Sequence, residues 1–129
     1  MSATWHGMSA NPDAIGTSLA QALRYVAAWR GKTVVVKFGG SAVDSADTGT
    51  VPEDLVLLQQ AGVRPILVHG GGPEITREIE SAGKTSRFVD GLRVTDAETM
   101  DIVERVLGGT VNKRLVHLIA RAGGRAVGV

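Results

Sequence analysis

Two stretches of the sequence decide the fold: residues 33–40, TVVVKFGG, and residues 64–73, RPILVHGGGP. Each begins with a six-residue run that is rich in apolar residues, lacks a helical period and stops at a cluster of glycines. Short apolar runs of this kind are typical of strands that are buried on both faces, and such strands belong to parallel sheets. The two stretches therefore predict neighbouring parallel strands, each followed by a glycine turn.

Helical patterns surround these strands. Apolar residues recur at helical spacing in three segments, and each segment has a proline in its first turn and a glycine just after its end. The segments are 12–30, 52–61 and 73–82. Alternation of strands and helices predicts an α/β fold with a parallel sheet and right-handed crossovers. Ligands of such sheets bind at the carboxyl ends of the strands, which is where both glycine clusters fall.

The remaining part of the chain predicts a hairpin followed by helices. Asp90-Gly91 is a strong two-residue turn signal between strands over 87–89 and 92–94. Thr95 is expected to cap the next helix, with Glu98 completing a capping box.

Two helices, 97–107 and 112–122, are predicted beyond the hairpin, separated by Gly108-Gly109. Residues 126–129 read as the beginning of a third buried strand.

Composition excludes several classes of function. The 129 residues include no cysteine, which removes disulfides, thiolate zinc sites and cysteine nucleophiles. The net charge of +1 offers no general attraction for nucleic acid or anionic lipid. No segment has the length and apolarity of a signal peptide or membrane span, so we expect a soluble, cytoplasmic protein. Seventeen glycines, about twice the usual share, are the departure from average.

Familiar phosphate motifs do not account for these glycines. Gly31-Lys32-Thr33 lacks the glycine that a Walker loop needs five residues earlier, where Val26 stands. The triplet at residues 70–72 lacks the third glycine of a dinucleotide fingerprint, because Ile75 occupies that position.

The glycine turns are nevertheless suited to anions. Lys37 ends a strand just ahead of Gly39 and Gly40, so an ammonium group lies beside backbone N–H groups that can approach a phosphate. The alternative is a solvated lysine beside a simple chain reversal. Gly70-Gly71-Gly72 places a second such turn ahead of a helix N-terminus at the same sheet edge. Two turns suggest two anionic ligands, or a donor and an acceptor.

Four segments, in this order and at these spacings, resemble the amino acid kinase family, and within it the acetylglutamate kinases. They are KFGGSA (37–42), LVHGGGPEI (67–75), FVDGLRVTDAETMDIV (88–103) and VNK (111–113). The resemblance implies a three-layer α/β/α sandwich with a mainly parallel sheet, here truncated. It divides the chain into an N-terminal extension with an amphipathic helix, 1–31, and the N-terminal, amino-acid-binding half of a kinase domain, 32–129. Such a half lacks the nucleotide-binding surface, so we expect the 129 residues alone to be inactive.

The resemblance implies transfer of the γ-phosphoryl group of ATP to the side-chain carboxylate of N-acetyl-L-glutamate, a step of arginine biosynthesis. Lys37 would stabilise the transferring phosphoryl group, and Gly39 and Gly40 would line the phosphate site. Gly71 and Gly72 would hold the acetylated amino acid. Mg²⁺ would be bound by the phosphates, and the sequence assigns it no protein ligand.

Arg93 matches the family arginine that pairs with the α-carboxylate of the substrate. The residue type agrees with this role, since a guanidinium fork fits a carboxylate and an ionised nucleophile needs charge neutralisation more than a base. The alternative for Arg93 is a surface ion pair at a hairpin end. Among other polar residues, His69 is expected to orient the glycine turn, and Asn112-Lys113 to cap a helix or border the substrate site.

Tyr25 and its helix resemble the extra N-terminal helix of the ring-forming, arginine-inhibited members of the family. That likeness implies a homo-oligomer, either a dimer or a hexamer joined through this helix, with Tyr25 as an allosteric candidate. The alternative is a helix that folds back on its own sheet.

Two further functions stay open at the level of sequence. One is a catalytically silent, substrate- or arginine-binding domain like the kinase-like domain of an acetylglutamate synthase, although that group tends to lose the HGGGP glycines. The other is an amino acid kinase for carbamate, aspartate or a nucleotide, which the GLRVTD segment after HGGGP disfavours.

Overall fold

The centre of the fold is a pair of parallel strands in a computed structural model that describes residues 12–39 and 50–129. Strand β1 (Thr33–Phe38) pairs with strand β2 (Arg64–His69), from Thr33 opposite Arg64 to Phe38 opposite His69. Both strands have the predicted bounds. Because the strands are parallel and in register, the turns that follow them leave the sheet at the same edge.

Helices connect and cover the strands. Within the described ranges the α-helices are α1 (Pro12–Trp29), α2 (Val51–Gln60), α3 (Gly72–Ser81), α4 (Ala97–Glu104) and α5 (Asn112–Arg121). The glycines predicted to end the first three helices, Gly31, Gly62 and Gly83, all have positive φ values of 74–87°. This left-handed conformation carries little penalty for glycine, which explains why the helices stop there.

The core lies between one face of the sheet and the helices. Phe38 contributes the aromatic ring at the end of β1, and aliphatic side chains of α3, α4, α5 and the segment between α4 and α5 surround it. The buried cluster comprises Phe38, Ile75, Ile79, Ile102, Val106, Val111 and Leu115. These contacts fix α3, which begins at the second glycine turn, against the sheet.

The opposite face of the sheet is open, which corrects the expectation of strands buried on both sides. Val35, Ile66 and Val68 expose 65%, 50% and 51% of their surface on this face. Successive residues of a strand point to opposite faces, so only the alternate set meets the helices. The predicted α/β class with a parallel sheet is confirmed, and the described residues supply two layers of the expected sandwich.

The predicted break between two helices at Gly108-Gly109 is wrong. Arg105–Val111 forms a π-helical segment that joins α4 to α5 without interruption. Burial of Val106 and Val111 on either side of the two glycines holds the segment in place, so packing outweighs the low helix propensity of glycine. π-helical turns inside α-helices are frequent at functional sites.

The predicted third strand at residues 126–129 is also wrong, since residues 124–129 form no strand. Side chains rather than a backbone ladder hold this segment. Asn112 Nδ2 donates to the carbonyl of Val129 at 3.2 Å, and Lys113 Nζ donates to that of Gly128 at 3.2 Å. The amide group of Asn112 therefore restrains the tail. Helix α5, which begins at Asn112, continues directly from the π-helical segment and is not separated from it by a break.

The hairpin is confirmed, with β3 (Phe88–Val89) antiparallel to β4 (Leu92–Arg93).

The N-cap of helix α4 differs from the prediction. Asp96, not Thr95, caps α4, because the Asp96 carboxylate accepts a hydrogen bond from the Thr99 N–H at 2.8 Å. The hydroxyl of Thr95 instead donates to the carbonyl of Arg93.

Helix α1 does not fold back on the sheet. Its described side chains, those of residues 16–18 and 20–29, are all exposed, including Leu23, Tyr25 and Trp29 at 59%, 75% and 52%. Among the described helices, none is long and apolar enough to cross a bilayer.

Candidate functional site

The two glycine turns lie side by side at the carboxyl edge of the sheet. The N–H of Gly70, just past β2, donates to the carbonyl of Phe38, the last residue of β1, at 3.0 Å. Lys37 is exposed on the open sheet face, and Gly39 follows it. Gly40 falls in residues 40–49, outside the described ranges. The structure thus confirms that the two strand ends, with Gly39 and Gly70 just past them, lie side by side as predicted.

Gly71 and Gly72 differ in what surrounds them. Gly71 is buried, and a Cβ atom on it would lie 2.8 Å from Leu107 Cδ2 and 3.3 Å from Val111 Cγ2. The π-helical segment therefore packs directly on this glycine. Gly72 is exposed, and a Cβ atom there would meet no atom of the described residues within 4 Å, which leaves room for a ligand on that side.

The N-terminus of α3 is available to an anion. Gly71 is the N-cap residue, and no side chain of residues 12–39 or 50–129 caps the first N–H groups of the helix. Those groups carry the partial positive charge of the helix dipole, which favours a carboxylate or phosphate. The first turn of α3 and the end of β1 therefore offer two positive regions at one edge.

Arg93 reaches this turn from the hairpin. Its Nη2 atom donates to the carbonyl of Gly72 at 3.2 Å and to the hydroxyl of Thr76 at 2.9 Å, while Nη1 donates to Ser86 Oγ at 2.5 Å. The Thr76 hydroxyl in turn donates to the Gly72 carbonyl at 3.0 Å. The structure therefore brings Arg93 and Gly72, two predicted substrate-binding residues, into direct contact.

The turn of the hairpin fixes where Arg93 stands. Asp90 and Gly91 have φ values of 50° and 78°, the arrangement of a two-residue turn that matches strand twist. This turn sets Arg93 opposite Phe88, and its Cζ atom lies 4.7 Å from the centre of the Phe88 ring. The guanidinium plane is thus supported by a cation–π contact as well as by hydrogen bonds.

Ion pairs join the segment between α3 and the hairpin to the start of α4. Lys84 Nζ lies 3.2 Å from Asp96 Oδ2 and 2.6 Å from Glu98 Oε2. The hydrogen bonds from Thr99 and then the ammonium group of Lys84 lower the pKa of Asp96 to about 2. The hydrogen bond to Glu98, followed by the bond to Asp96, raises the pKa of Lys84.

A buried ion pair fixes the first turn of α3 to α5. Glu74 is 6% exposed, and its Oε1 atom accepts a hydrogen bond from Arg114 Nη2 at 2.7 Å. Its Oε2 atom is buried and accepts no hydrogen bond from the described residues.

His69, at the end of β2, places Nδ1 3.0 Å from the carbonyl of Gly70. A proton on that nitrogen would orient the turn in the way that the sequence predicted.

An apolar groove of about 580 Å³ lies beside β2 and under the tail. Strand β2, helices α2 and α5, and residues 125–129 line it, and its polar side chains are Gln59, His69, Asn112 and Arg125. Asn112 is thus 8% exposed between the groove and the tail. The sequence predicted that Asn112-Lys113 would cap a helix or border the substrate site, and contact with the tail could not be predicted because the return of the tail has no local signal.

The site residues fall into three groups. Gly72 and Arg93 touch each other, Gly71 lies next to them, and Lys37 and Gly39 belong to the adjoining turn. Tyr25 lies on α1, which leads to the amino end of β1, the opposite end of the sheet.

Thr76 and Ser86, which accept hydrogen bonds from Arg93, were not predicted from the sequence, since neither belongs to a motif and only the folded hairpin brings them together. Within residues 12–39 and 50–129, no three His, Asp or Glu residues are grouped to hold a metal ion.

Comparison with known proteins establishes the family to which the chain belongs. The family model for the amino acid kinase family matches residues 32–129, so the chain belongs to this family.

Curated relatives narrow the likeness to acetylglutamate kinases, as the sequence motifs predicted. The chain is 54% identical over 120 residues to the acetylglutamate kinase of Halorhodospira halophila and 50% identical over 125 residues to that of Vesicomyosocius okutanii. These matches cover 92% and 96% of the chain but 40% of each relative. The chain therefore spans about two fifths of the length of these relatives.

Solved structures give the same fold. The N-acetylglutamate synthase of Neisseria gonorrhoeae, in complex with coenzyme A and N-acetyl-glutamate, superimposes with a TM-score of 0.68 at 27% identity, over 83% of this chain and 25% of that one. A Streptococcus mutans protein, smu.665, gives a TM-score of 0.64 at 32% identity, over 70% of this chain and 37% of that one.

Proposed function

We propose that this chain forms the amino-acid-binding part of an acetylglutamate kinase, which phosphorylates the side-chain carboxylate of N-acetyl-L-glutamate. One observation carries the proposal: the guanidinium of Arg93 is hydrogen-bonded to the Gly72 carbonyl, beside the uncapped N-terminus of α3. A cation and unpaired backbone N–H groups at one point suit a small dicarboxylate.

The substrate would lie across the second glycine turn. Arg93 would pair with the α-carboxylate, and the backbone of Gly71 and Gly72 would hold the acetylated amino acid. The open surface of Gly72 supports this, because no side chain of the described residues would obstruct the approach. The side-chain carboxylate would then extend toward the end of β1.

The end of β1 suits the phosphates. ATP, when bound, supplies the γ-phosphoryl group, with Mg²⁺ carried on the phosphates. Among the described residues, nothing lies within 4 Å of a Cβ position on Gly39, and the exposed Lys37 two residues earlier would neutralise charge on the oxygens during transfer. Gly40 completes this turn in the sequence, and it lies outside the described residues. No base is needed, because the attacking carboxylate is already ionised at neutral pH.

The alternative function is a catalytically silent, substrate- or arginine-binding domain like that of an acetylglutamate synthase. The TM-score of 0.68 with the Neisseria gonorrhoeae synthase favours it as a second candidate. The relatives at 50–54% identity favour the kinase.

A chimera distinguishes the two functions. This chain would replace the matching 120-residue segment of the Halorhodospira halophila kinase, and acyl phosphate formed from ATP and N-acetyl-L-glutamate would be trapped with hydroxylamine. We expect trapped product, and a loss of at least about 100-fold in Lys37→Ala, as for removal of one charged transition-state contact. Lys32→Ala, an exposed lysine at the amino end of β1, serves as the matched control. A folded chimera without product, or with equal product from Lys37→Ala, would contradict the kinase.

We further propose that the protein is a cytoplasmic homo-oligomer, either a dimer or a hexamer joined through α1. The exposed apolar side chains of that helix support this proposal, and Tyr25 is its allosteric candidate.

A further inference from the structure

We propose that Thr76 is a positioning residue for the substrate carboxylate: through its hydroxyl group it holds the Arg93 guanidinium against the glycine turn, with Ser86 as a second support. The proposal rests on the function proposed above and names residues that no motif of the sequence identified.

The contacts form a closed polar network. Thr76 Oγ1 accepts from Arg93 Nη2 at 2.9 Å and donates to the Gly72 carbonyl at 3.0 Å, and the same Nη2 atom donates to that carbonyl at 3.2 Å. Gly72 and Thr76 are four residues apart on α3, so they face the same side of the helix. The hydroxyl thus fixes both the guanidinium and the carbonyl of the turn.

The second terminal nitrogen of Arg93 is fixed separately. Ser86 Oγ accepts from Nη1 at 2.5 Å, and the Phe88 ring supports the guanidinium with its centre 4.7 Å from Cζ. These hydrogen bonds use three of the five N–H donors of the side chain. Among the described residues, the Nε–H and one N–H of Nη1 have no hydrogen-bond partner, so each can donate to a ligand oxygen within a guanidinium plane that is already set.

Apolar packing does not provide this positioning. The hairpin that carries Arg93 exposes its large apolar side chains, with Phe88, Val89 and Leu92 at 53%, 55% and 75%. A hairpin with so little buried surface is free to move unless polar contacts restrain it. The Arg93 network joins it directly to the first turns of α3, where the substrate would bind.

Preorganisation of this kind contributes to affinity. A long charged side chain that is held in its binding geometry loses less conformational entropy when the ligand arrives. Removal of the Thr76 hydroxyl would therefore weaken the carboxylate contact while the arginine remains. The expected effect falls on the affinity for N-acetyl-L-glutamate and not on the stability of the fold.

The test compares Thr76→Val, which removes the hydroxyl at constant size, with Thr76→Ser, which keeps it. Titration of the 129-residue chain with N-acetyl-L-glutamate should give a Kd raised about tenfold for Thr76→Val. Thr76→Ser should bind within about twofold of the unmodified chain, and Ser86→Ala should weaken binding as well. Thr33→Val, an exposed threonine at the amino end of β1, should change nothing.

A second measurement requires no ligand. In ¹H–¹⁵N spectra, the Arg93 side-chain resonances should show hindered guanidinium rotation in the unmodified chain and in Thr76→Ser, and faster rotation in Thr76→Val. Unchanged rotation and unchanged or tighter binding in Thr76→Val would overturn the positioning role. An unmodified chain that binds no N-acetyl-L-glutamate would instead contradict the proposed function, and the rotation rates would still decide whether Thr76 holds Arg93.

Discussion

Leu107 lies so close to Gly71 that a Cβ atom on the glycine would stand 2.8 Å from Leu107 Cδ2. One glycine of the HGGGP segment is therefore required by packing against the π-helical segment. At the next glycine, Gly72, no atom in the described part of the chain lies within 4 Å of the Cβ position. The two neighbours thus serve different purposes, although they form one motif in the sequence.

This difference predicts opposite effects for two alanine substitutions. The methyl group of Gly71→Ala would push the side chains of Leu107 and Val111 away from residue 71, and the variant should lower the free energy of unfolding by about 1–3 kcal/mol. Gly72→Ala should leave stability unchanged or raise it slightly, since alanine suits a helical position, but it should weaken binding of N-acetyl-L-glutamate. Urea unfolding and ligand titration of both variants measure the two effects. Equal stability of the two variants would show that the packing around Gly71 is not restrictive.

Acid should weaken the fold through Asp96, whose pKa is lowered to about 2 from an ordinary value of 3.8. A carboxyl group with a lowered pKa contributes stability that is complete above its unfolded value and is lost as the pH falls through its folded value. Asp96→Asn keeps a good N-cap side chain but removes the charge. The melting temperature of Asp96→Asn should lie below that of the unmodified chain at pH 6. The difference between the two melting temperatures should disappear as the pH falls from about 4 to about 2.

Asp101→Asn is the matched control for this pH dependence, since Asp101 is exposed on the same helix. Melting curves from pH 2 to pH 7 for the three proteins provide the measurement. A gap between Asp96→Asn and the unmodified chain that does not depend on pH would show that the charge of Asp96 has no part in stability.

The buried carboxylate of Glu74 depends on Arg114. Arg114→Met should leave Glu74 with only the more distant and more exposed Arg77, whose Nη2 atom lies 3.9 Å from Glu74 Oε1. The expected cost is about 1–3 kcal/mol in the free energy of unfolding, because 39% of the Arg114 side chain is exposed and a fully buried pair would cost more. Arg121→Met, in the last turn of the same helix, should cost less than about 0.5 kcal/mol. Chemical denaturation compares the two variants, and equal midpoints would exclude a stabilising pair. Adding Glu74→Leu to Arg114→Met should restore part of the loss.

Helix α1 predicts assembly. Its Leu23 and Trp29 side chains are 59% and 52% exposed, and the Lys32 ammonium lies 5.8 Å from the centre of the Trp29 ring. If copies of the chain pair through this helix, Leu23→Glu should lower the mass measured by light scattering, whereas Gln21→Glu on the same helix should not. A protein that stays monomeric at all concentrations, with or without the substitution, would contradict an oligomer built on α1.

The sequence predicts well what depends on local pattern. Both strands of the sheet follow from apolar runs that end in glycine, and the hairpin follows from Asp90-Gly91, whose positive φ values the turn requires. Failures occur where tertiary contacts decide. The π-helical segment passes through Gly108-Gly109 because its flanking valines are buried, and the tail forms no strand because it has no strand partner among the described residues.

The site divides in the same way. Arg93 and the glycine turn could be predicted because they belong to motifs with recognisable spacing, and the structure brings them together. Thr76 and Ser86 could not, because a hydroxyl group becomes informative only when folding places it beside a guanidinium. Asn112 was predicted to cap a helix or to border the substrate site, whereas its amide group donates to a carbonyl 17 residues further along the chain.

The central claim is that Arg93 and the Gly72 turn bind the α-carboxylate of N-acetyl-L-glutamate, and calorimetric titration of the 129-residue chain tests it most directly. We expect saturable, weak binding by the unmodified chain. Arg87→Ala, which removes the arginine directly before β3, should bind equally well. Arg93→Ala should raise the Kd by about 30-fold, the effect of losing a charge-assisted hydrogen-bonded pair. Equal binding by Arg93→Ala and the unmodified chain, or no binding by either, would contradict the claim.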